Sequence, residues 1–193
     1  MFDRLTDGAR KCMGLARQES QRLRHECIAP EHILLAIVLD AESTACIVLR
    51  SLQVEPARLQ VSVLGRVERG DTVTGFGQVP FTPAAKRVLE GALDAQMALA
   101  DRYIGTEHLL MGLLRLDGGP AHAALVEHGV TLEAAREAVS SVQRTRDAED
   151  SGPEPLPRSI EEVRDVLEGL EAHAAFVLSE IQRLRDALEA IES

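Results

Sequence analysis

Residues 28–35 read Ile-Ala-Pro-Glu-His-Ile-Leu-Leu, and residues 104–111 read Ile-Gly-Thr-Glu-His-Leu-Leu-Met. The second stretch begins 76 positions after the first (104 minus 28), and this offset aligns residues 5–69 with residues 81–145 without a gap. Twelve of the aligned pairs are identical, and many others keep their chemical character. A gapless match of this length indicates an internal duplication.

Each copy of the duplicated sequence predicts four helices. Thr6 and Thr82 are suited to the N-cap of the first helix, which runs to about residue 24 in one copy and residue 100 in the other. A second helix begins at Pro30 or Thr106, since proline is tolerated in a first turn and threonine caps well. The third helix is predicted at about residues 43–52 in the first copy and 120–128 in the second. The fourth helix follows residue 54 in the first copy and residue 130 in the second. Because no alternation typical of strands is present, we predict an all-α pseudo-twofold body of about eight helices.

The charge of the chain is unevenly distributed. The 193 residues carry a net charge of −10. Residues 1–145 hold 16 basic and 18 acidic residues, a net of −2, and residues 146–193 hold 5 and 13, a net of −8. The acidic balance and an aromatic content of 3% argue against nucleic acid as a partner. No apolar run is long enough to cross a membrane, and the N-terminus does not resemble a secretory signal, so a cytoplasmic location is expected.

The last quarter of the sequence predicts an extended linker followed by one long helix. Residues 144–158 are acidic and proline-rich, as in a solvated linker. Residues 159–193 begin with a capping box and then place apolar residues at alternating spacings of three and four. This pattern predicts a coiled-coil-like helix that makes the chain a homo-oligomer, although a helix folded back on its own chain is an alternative. The predicted oligomerisation residues are Ile160, Val163, Leu167, Leu170, Val177, Ile181, Leu184, Leu188 and Ile191.

Several motifs of the duplicated region resemble those of one known family. They are Phe2-x-x-Leu-Thr-x-x-Ala-Arg, the repeated Ile-x-x-Glu-His block, and Pro80-Phe-Thr-Pro-x-Ala-Lys. Together they resemble the Clp repeat domain, the double four-helix N-terminal domain of ClpC-type unfoldases. The resemblance implies a double domain over residues 1–143, with repeats at about 1–69 and 79–143. No G-x-x-x-x-G-K-[ST] phosphate loop follows, so the chain is expected to be a stand-alone N-domain without the ATPase modules.

The resemblance implies two equivalent ligand pockets for degrons, adaptors or phosphorylated arginine. The matching residues are Glu31 with Thr6 in the first repeat and Glu107 with Thr82 in the second. A carboxylate can accept a bidentate guanidinium, and a hydroxyl beside free helix-start N–H groups can hold a phosphate. Acidic residues and threonines also stabilise helix starts without any ligand, which is an equally good interpretation. The first repeat has Ala29-Pro30 in place of Gly-Thr, so the second pocket is the better candidate.

A second surface follows from the same resemblance, because relatives of the ClpC type bind cyclic-peptide antibiotics there. The matching residues are Phe2, Phe81 and Lys86, although packing between repeats is an alternative role for the two phenylalanines. His32 and His108 have no nucleophile or H-E-x-x-H partner, so we expect them to be buried and hydrogen-bonded. No enzyme, cofactor or metal site is predicted, and three cysteines without zinc-ligand spacing are expected to be reduced thiols.

These observations predict a non-catalytic Clp-related binding protein that recognises degrons, adaptors or phosphoarginine-bearing clients and modulates Clp-dependent proteolysis. Its expected partners are Clp unfoldase or protease subunits, adaptors and client proteins. Two alternatives stay open at this point. One is a protective decoy that sequesters N-domain-targeting antibiotics or other ligands from the true ClpC unfoldase, and the other is an accessory subunit of the Clp protease core.

Overall fold

The computed structural model describes residues 4–71 and 79–150. These ranges contain eight α-helices: α1 (Asp7–Arg22), α2 (Pro30–Leu39), α3 (Thr44–Ser51), α4 (Pro56–Leu64), α5 (Pro83–Ala98), α6 (Thr106–Leu114), α7 (Pro120–Glu127) and α8 (Leu132–Asp150). The described residues form no strands beyond two isolated bridges. The all-α duplicated fold predicted from the sequence is therefore confirmed, with four helices in each repeat.

The helix starts follow the predicted capping chemistry at most positions. Thr6 and Thr82 are the N-caps of α1 and α5, and the hydroxyl oxygen of each accepts a hydrogen bond of 3.1 Å from the amide three residues ahead. Ser43 caps α3 in the same way, at 3.2 Å from the Cys46 amide. Thr106 differs from the prediction, because Gly105 occupies the N-cap of α6. The Thr106 hydroxyl instead accepts a 3.1 Å hydrogen bond from the Ala45 amide and so ties α3 to α6.

The two repeats are interlocked by short backbone pairings. The Thr6 amide donates to the Ile104 carbonyl at 3.0 Å, and the Ile104 amide donates to the Arg4 carbonyl at 2.8 Å. At the equivalent place in the other copy, the Ile28 amide donates to the Pro80 carbonyl at 2.7 Å, and the Thr82 amide donates to the Ile28 carbonyl at 2.9 Å. The segment that enters the first helix of each repeat therefore pairs with the Ile-x-x-Glu-His block of the other repeat.

The core lies around α2 and α6, the most apolar helices of the two repeats. Residues 33–37 of α2 are fully buried, as are Leu109, Leu110 and Leu113 of α6. A glycine sets the closeness of α5 and α6, since a Cβ at Gly112 would overlap the Val88 carbonyl oxygen. This core fixes the helix starts and the segment 79–81, which carry the candidate site.

The end of the second repeat differs from the predicted boundary. Helix α8 continues to Asp150, whereas the linker was predicted to begin at residue 144. The physical reason is that residues 144–150 contain neither proline nor glycine, and the first helix breakers are Gly152 and Pro153. The rest of the predicted linker, the heptad helix 159–193 and its oligomerisation residues lie outside the described residues.

In residues 4–71 and 79–150, no single helix is long and apolar enough to cross a membrane. Helices α2 and α3 together have the length and composition of a membrane span, but an 82° bend separates them.

Candidate binding surface

The structure brings together threonines and glutamates from different repeats, whereas the sequence analysis paired those within one repeat. Thr6 lines a cleft together with Glu107, so the threonine of the first repeat faces the glutamate of the second. The pairing of Thr82 with Ile28 brings the threonine of the second repeat to the block that contains Glu31. Each candidate site is thus assembled from both repeats. The exchange follows from the interlocked backbone, which the alignment of one copy on the other does not reveal.

The cleft that contains Thr6 and Glu107 is acidic, and we call it the acidic cleft. It has a volume of about 410 Å³. Three of its residues are acidic and one is basic, a net charge of −2. Its lining residues are Thr6, Gly8, Lys11, Asp40, Glu42, Ser43, Thr44, Gly105, Thr106 and Glu107.

Two of the acidic side chains in the acidic cleft are held in place. The carboxylate of Asp40, which is 8% exposed, accepts a 3.0 Å hydrogen bond from the Lys11 ammonium. Glu107 is 9% exposed and folds back over Gly105, where a Cβ would collide with the Glu107 carboxylate. In the first repeat Ala29 stands where Gly105 stands in the second, and Glu31 is less buried than Glu107. The absence of a side chain at residue 105 therefore leaves room for the Glu107 carboxylate in this cleft.

The two histidines that follow the glutamates are fully buried and cap their own helices, as the sequence predicted. The Nδ1 atom of His32 accepts from the Ala29 amide at 2.8 Å, and the Nδ1 atom of His108 accepts from the Gly105 amide at 2.9 Å. Each ring must therefore carry its proton on Nε2. This proton is donated at 2.8 Å to His25 Nδ1 in the first repeat, and at 2.9 Å to the carboxylate of Asp101 in the second.

These hydrogen bonds decide whether the histidines can hold a metal. His25, Glu31 and His32 offer ligand atoms within 4.8 Å of one another, and so do Asp101, Glu107 and His108 at the equivalent positions. The capping histidine of each group, His32 or His108, has no free lone pair, because one nitrogen accepts a backbone N–H and the other carries a proton. The donor sets are therefore explained by helix capping, and they do not fit a metal ion.

The first repeat contains a three-member hydrogen-bond relay, which we call the histidine relay. The Ala29 amide donates to His32, His32 donates to His25, and the Nε2–H of His25 donates at 2.8 Å to the Glu68 carbonyl. Burial, and then the neighbouring His25, lowers the pKa of His32 to about 4. His32 is therefore neutral in this arrangement. The relay ties the start of α2 to the loop after α1 and to the segment after α4.

An apolar groove runs along α1 on the face that packs against the segment 79–81, and we call it the α1 groove. Its volume is about 620 Å³. Most of its lining is apolar, and two arginines from α1 contribute its charge. The lining residues are Arg10, Met13, Gly14, Arg17, Ile28, Val79, Pro80 and Phe81.

The α1 groove contains one of the three residues predicted for a cyclic-peptide surface. Phe81 is half-buried and lines the groove, Lys86 is exposed on α5 and does not line it, and Phe2 lies outside the described residues. Sequence reasoning missed Met13 and Val79. A signal was available for Met13, since it lies one helical turn from Arg10 and Arg17 on the same face of α1.

Comparisons with known proteins agree with this architecture of two interlocked four-helix repeats. A family model described as the Clp repeat (R) N-terminal domain matches residues 4–128 and residues 100–175. ClpC/MecB of Bacillus subtilis, a negative regulator of genetic competence, is 38% identical over 139 residues, which are 72% of this chain and 17% of that protein. A ClpA homologue of Porphyra purpurea, an ATP-binding subunit of the ATP-dependent Clp protease, is 39% identical over 153 residues, 79% of this chain and 18% of that protein.

Solved structures share the fold at lower sequence identity. The N-terminal domain of ClpD from Arabidopsis thaliana superposes with a TM-score of 0.60 at 19% identity and covers 75% of this chain and 97% of that one. The ClpV N-domain in complex with a VipB peptide gives 0.58 at 15% identity, over 72% of this chain and 88% of that one.

These matches define a double-repeat N-terminal domain of the Clp chaperone type. The chain belongs to the Clp repeat N-terminal domain family. The matched relatives include ClpC/MecB and the ATP-binding subunit of an ATP-dependent Clp protease. The chain spans less than a fifth of the length of the curated relatives it matches.

Proposed function

We propose that this protein binds short segments of adaptor or client proteins in the α1 groove and thereby modulates Clp-dependent proteolysis without catalysing a reaction itself. The observation that carries the proposal is the α1 groove, an apolar channel of about 620 Å³ with two arginines among its lining residues. Apolar walls bury apolar side chains of a segment, and the few charged groups fix its orientation. The known complex of the ClpV N-domain with a VipB peptide supports peptide binding by a domain of this fold.

The lining of the α1 groove favours segments with acidic residues next to apolar ones. Met13, Ile28 and Phe81 offer contact area, and Arg10 and Arg17 attract carboxylates over short distances. A cyclic-peptide antibiotic would use the same apolar walls. Competition between such a peptide and a client segment would therefore favour the decoy function, whereas client binding alone favours the regulatory one.

The acidic cleft supports a finer proposal about arginine recognition. Its net charge of −2 favours a cationic arginine or lysine side chain of a degron, since Glu42 and Glu107 can each accept a guanidinium. Phosphoarginine adds a phosphate that these carboxylates repel, with only Lys11 to offset them. We therefore propose that the cleft prefers arginine to phosphoarginine. Calorimetry with N-acetylarginine amide and with phosphoarginine tests this preference, and tighter binding of phosphoarginine would overturn it.

The main proposal is tested with a variant that fills the α1 groove without touching the core. Gly14 lies in α1 and lines the groove, and a Cβ added there meets no atom within 4 Å, so we expect the side chain of Gly14→Trp to enter the groove without disturbing the core. Fluorescein-labelled β-casein, an unfolded acidic protein, serves as the probe in fluorescence anisotropy. We expect Gly14→Trp to weaken binding by about tenfold, the loss that follows from excluding one buried aliphatic side chain.

The matched control is Val61→Trp, which adds the same side chain on α4 at a position that is 71% exposed and outside the groove. It should bind casein as the wild type does. A second variant, Arg17→Glu, should weaken binding and reduce its dependence on salt. Equal affinity of the wild type and Gly14→Trp would reject the α1 groove as the binding site.

A further inference from the structure

A second pocket lies at the position that the duplication makes equivalent to the acidic cleft, and we call it the basic pocket. Its volume is about 490 Å³, and its lining residues are Ala84, Arg87, Gly112, Arg115, Leu116, Asp117, Gly118 and Gly119. Shifting five residues of the acidic cleft by 76 positions gives five of these eight. The corresponding pairs are Gly8 and Ala84, Lys11 and Arg87, Asp40 and Leu116, Glu42 and Gly118, and Ser43 and Gly119.

The two equivalent pockets have opposite charge. The acidic cleft has three carboxylates and one ammonium group, whereas the basic pocket has two guanidinium groups and the single carboxylate of Asp117. Leu116 and Gly118 occupy the positions of the acidic residues Asp40 and Glu42, and Arg115 adds a cation that the first repeat lacks. The difference is therefore a change of net charge from −2 to +1 at one structural position.

We infer that the basic pocket binds an anionic side chain of a partner protein, a carboxylate or a phosphate group. Arg115 is held in place, since its Nη1 donates to the Gly91 carbonyl at 3.2 Å and lies 3.4 Å from the Asp94 carboxylate. Arg87 is exposed at the edge of the same pocket, one turn along α5 from the start of the helix. Arg115, at the end of α6, keeps part of its charge offset by Asp94, and Arg87 on α5 can approach the same anion from the other side.

The floor of the basic pocket allows close approach. A Cβ added at Gly118 or at Gly119 would meet no atom within 4 Å, so the backbone there is open to a ligand. The chain as a whole carries a net charge of −10, so it creates no general field that would draw anions to this pocket. Anion binding at this pocket therefore depends on its own two arginines and not on a general field of the protein.

The inference is independent of the α1 groove, whose lining shares no residue with the basic pocket. It is tested by titrating the full-length, ¹⁵N-labelled chain with three peptides that differ at one position, which is glutamate, phosphoserine or glutamine. We expect chemical-shift changes at the Gly118 and Gly119 amides with the two anionic peptides, and none with glutamine. Comparison of the glutamate and phosphoserine peptides shows which anion is preferred.

Variants of the exposed Arg87 provide the control within the same experiment. Arg87→Glu should weaken anion binding by about tenfold, a loss expected for one charge-assisted hydrogen bond. Arg87→Lys should restore part of it. Arg136→Glu makes the same charge change at an exposed position on α8 and should leave binding unchanged. Equal shifts with all three peptides, or an unchanged affinity in Arg87→Glu, would overturn the inference, whereas Gly14→Trp tests only the α1 groove and should not alter these shifts.

Discussion

Acidification should destabilise the first repeat through the histidine relay. The pKa of His32 is lowered to about 4 from its usual 6.5, because the ring is buried and faces His25. A proton added to His32 would point its Nδ1–H at the Ala29 amide, which now donates to that nitrogen at 2.8 Å. The native state therefore resists protonation that the unfolded chain accepts.

The size of the effect follows from the linkage between proton binding and folding. Between pH 6.5 and about 4, the unfolded chain binds a proton at His32 that the native chain does not, so the free energy of unfolding falls as the pH falls. The stabilising contribution is fully present above pH 6.5. Across the whole window the loss is about 3 kcal/mol, at 1.36 kcal/mol per pH unit. Between pH 7.5 and pH 5.5 it is about 1.3 kcal/mol.

The measurement is urea unfolding followed by far-UV circular dichroism at pH 7.5 and 5.5, the lower value chosen to stay above the isoelectric point of about 5.1. His32→Gln keeps an amide that can accept and donate but does not titrate. We expect the wild type to lose about 1.3 kcal/mol more than this variant between the two pH values. His128→Gln, at the end of α7, controls for the loss of a histidine outside the relay. Parallel losses in the wild type and His32→Gln would refute the reasoning.

Three further predictions concern packing, capping and thiol reactivity. Gly112→Ala should lower the free energy of unfolding in urea by roughly 2 kcal/mol, because the new Cβ overlaps the Val88 carbonyl. Gly14→Ala, where the Cβ meets no atom, should instead raise it by about 0.5–1 kcal/mol. Equal effects of the two substitutions would contradict the close approach of α5 and α6. Thr82→Ala should cost about 1 kcal/mol by removing the cap of α5, and a smaller loss after Thr82→Ser would show that the hydroxyl is responsible. Iodoacetamide at pH 8 should modify Cys27 and spare Cys12, because burial raises the pKa of the Cys12 thiol to about 12. Mass spectrometry of the native protein measures both modifications, and modification of Cys12 at the rate of Cys27 would contradict its burial.

The sequence was sufficient to predict the duplication, the helical class and most helix starts. Thr6 and Thr82 cap where the pattern places them, because an N-cap depends only on its own residue and the next three. The burial of His32 and His108 was also predictable from the apolar residues that follow them. These features are local, and periodicity and capping chemistry report local structure well.

The candidate site was harder to predict because its parts come from different copies. An alignment of two repeats shows which residues are equivalent, but it does not show whether Thr6 faces the glutamate of its own copy or that of the other. Only the backbone pairing of Thr6 with Ile104 decides between them, and it joins positions that are 98 residues apart (104 minus 6). The role of Thr106 was missed for the same reason, since its hydroxyl bonds to another helix.

The way in which the two copies differ supports a division of function between their pockets. Most of the twelve identical pairs are buried in both copies, among them Leu34 with Leu110 and Leu49 with Leu125, because changing the volume of a packed core costs stability. The five pairs of positions shared by the acidic cleft and the basic pocket contain no identical pair. Asp40 and Leu116 are each 8% exposed, so this pair changes charge even at a packed position, whereas the exposed pair Glu42 and Gly118 carries no packing constraint. The two copies therefore keep a common core and carry opposite net charge at one pair of equivalent pockets, as expected if the two pockets bind different groups.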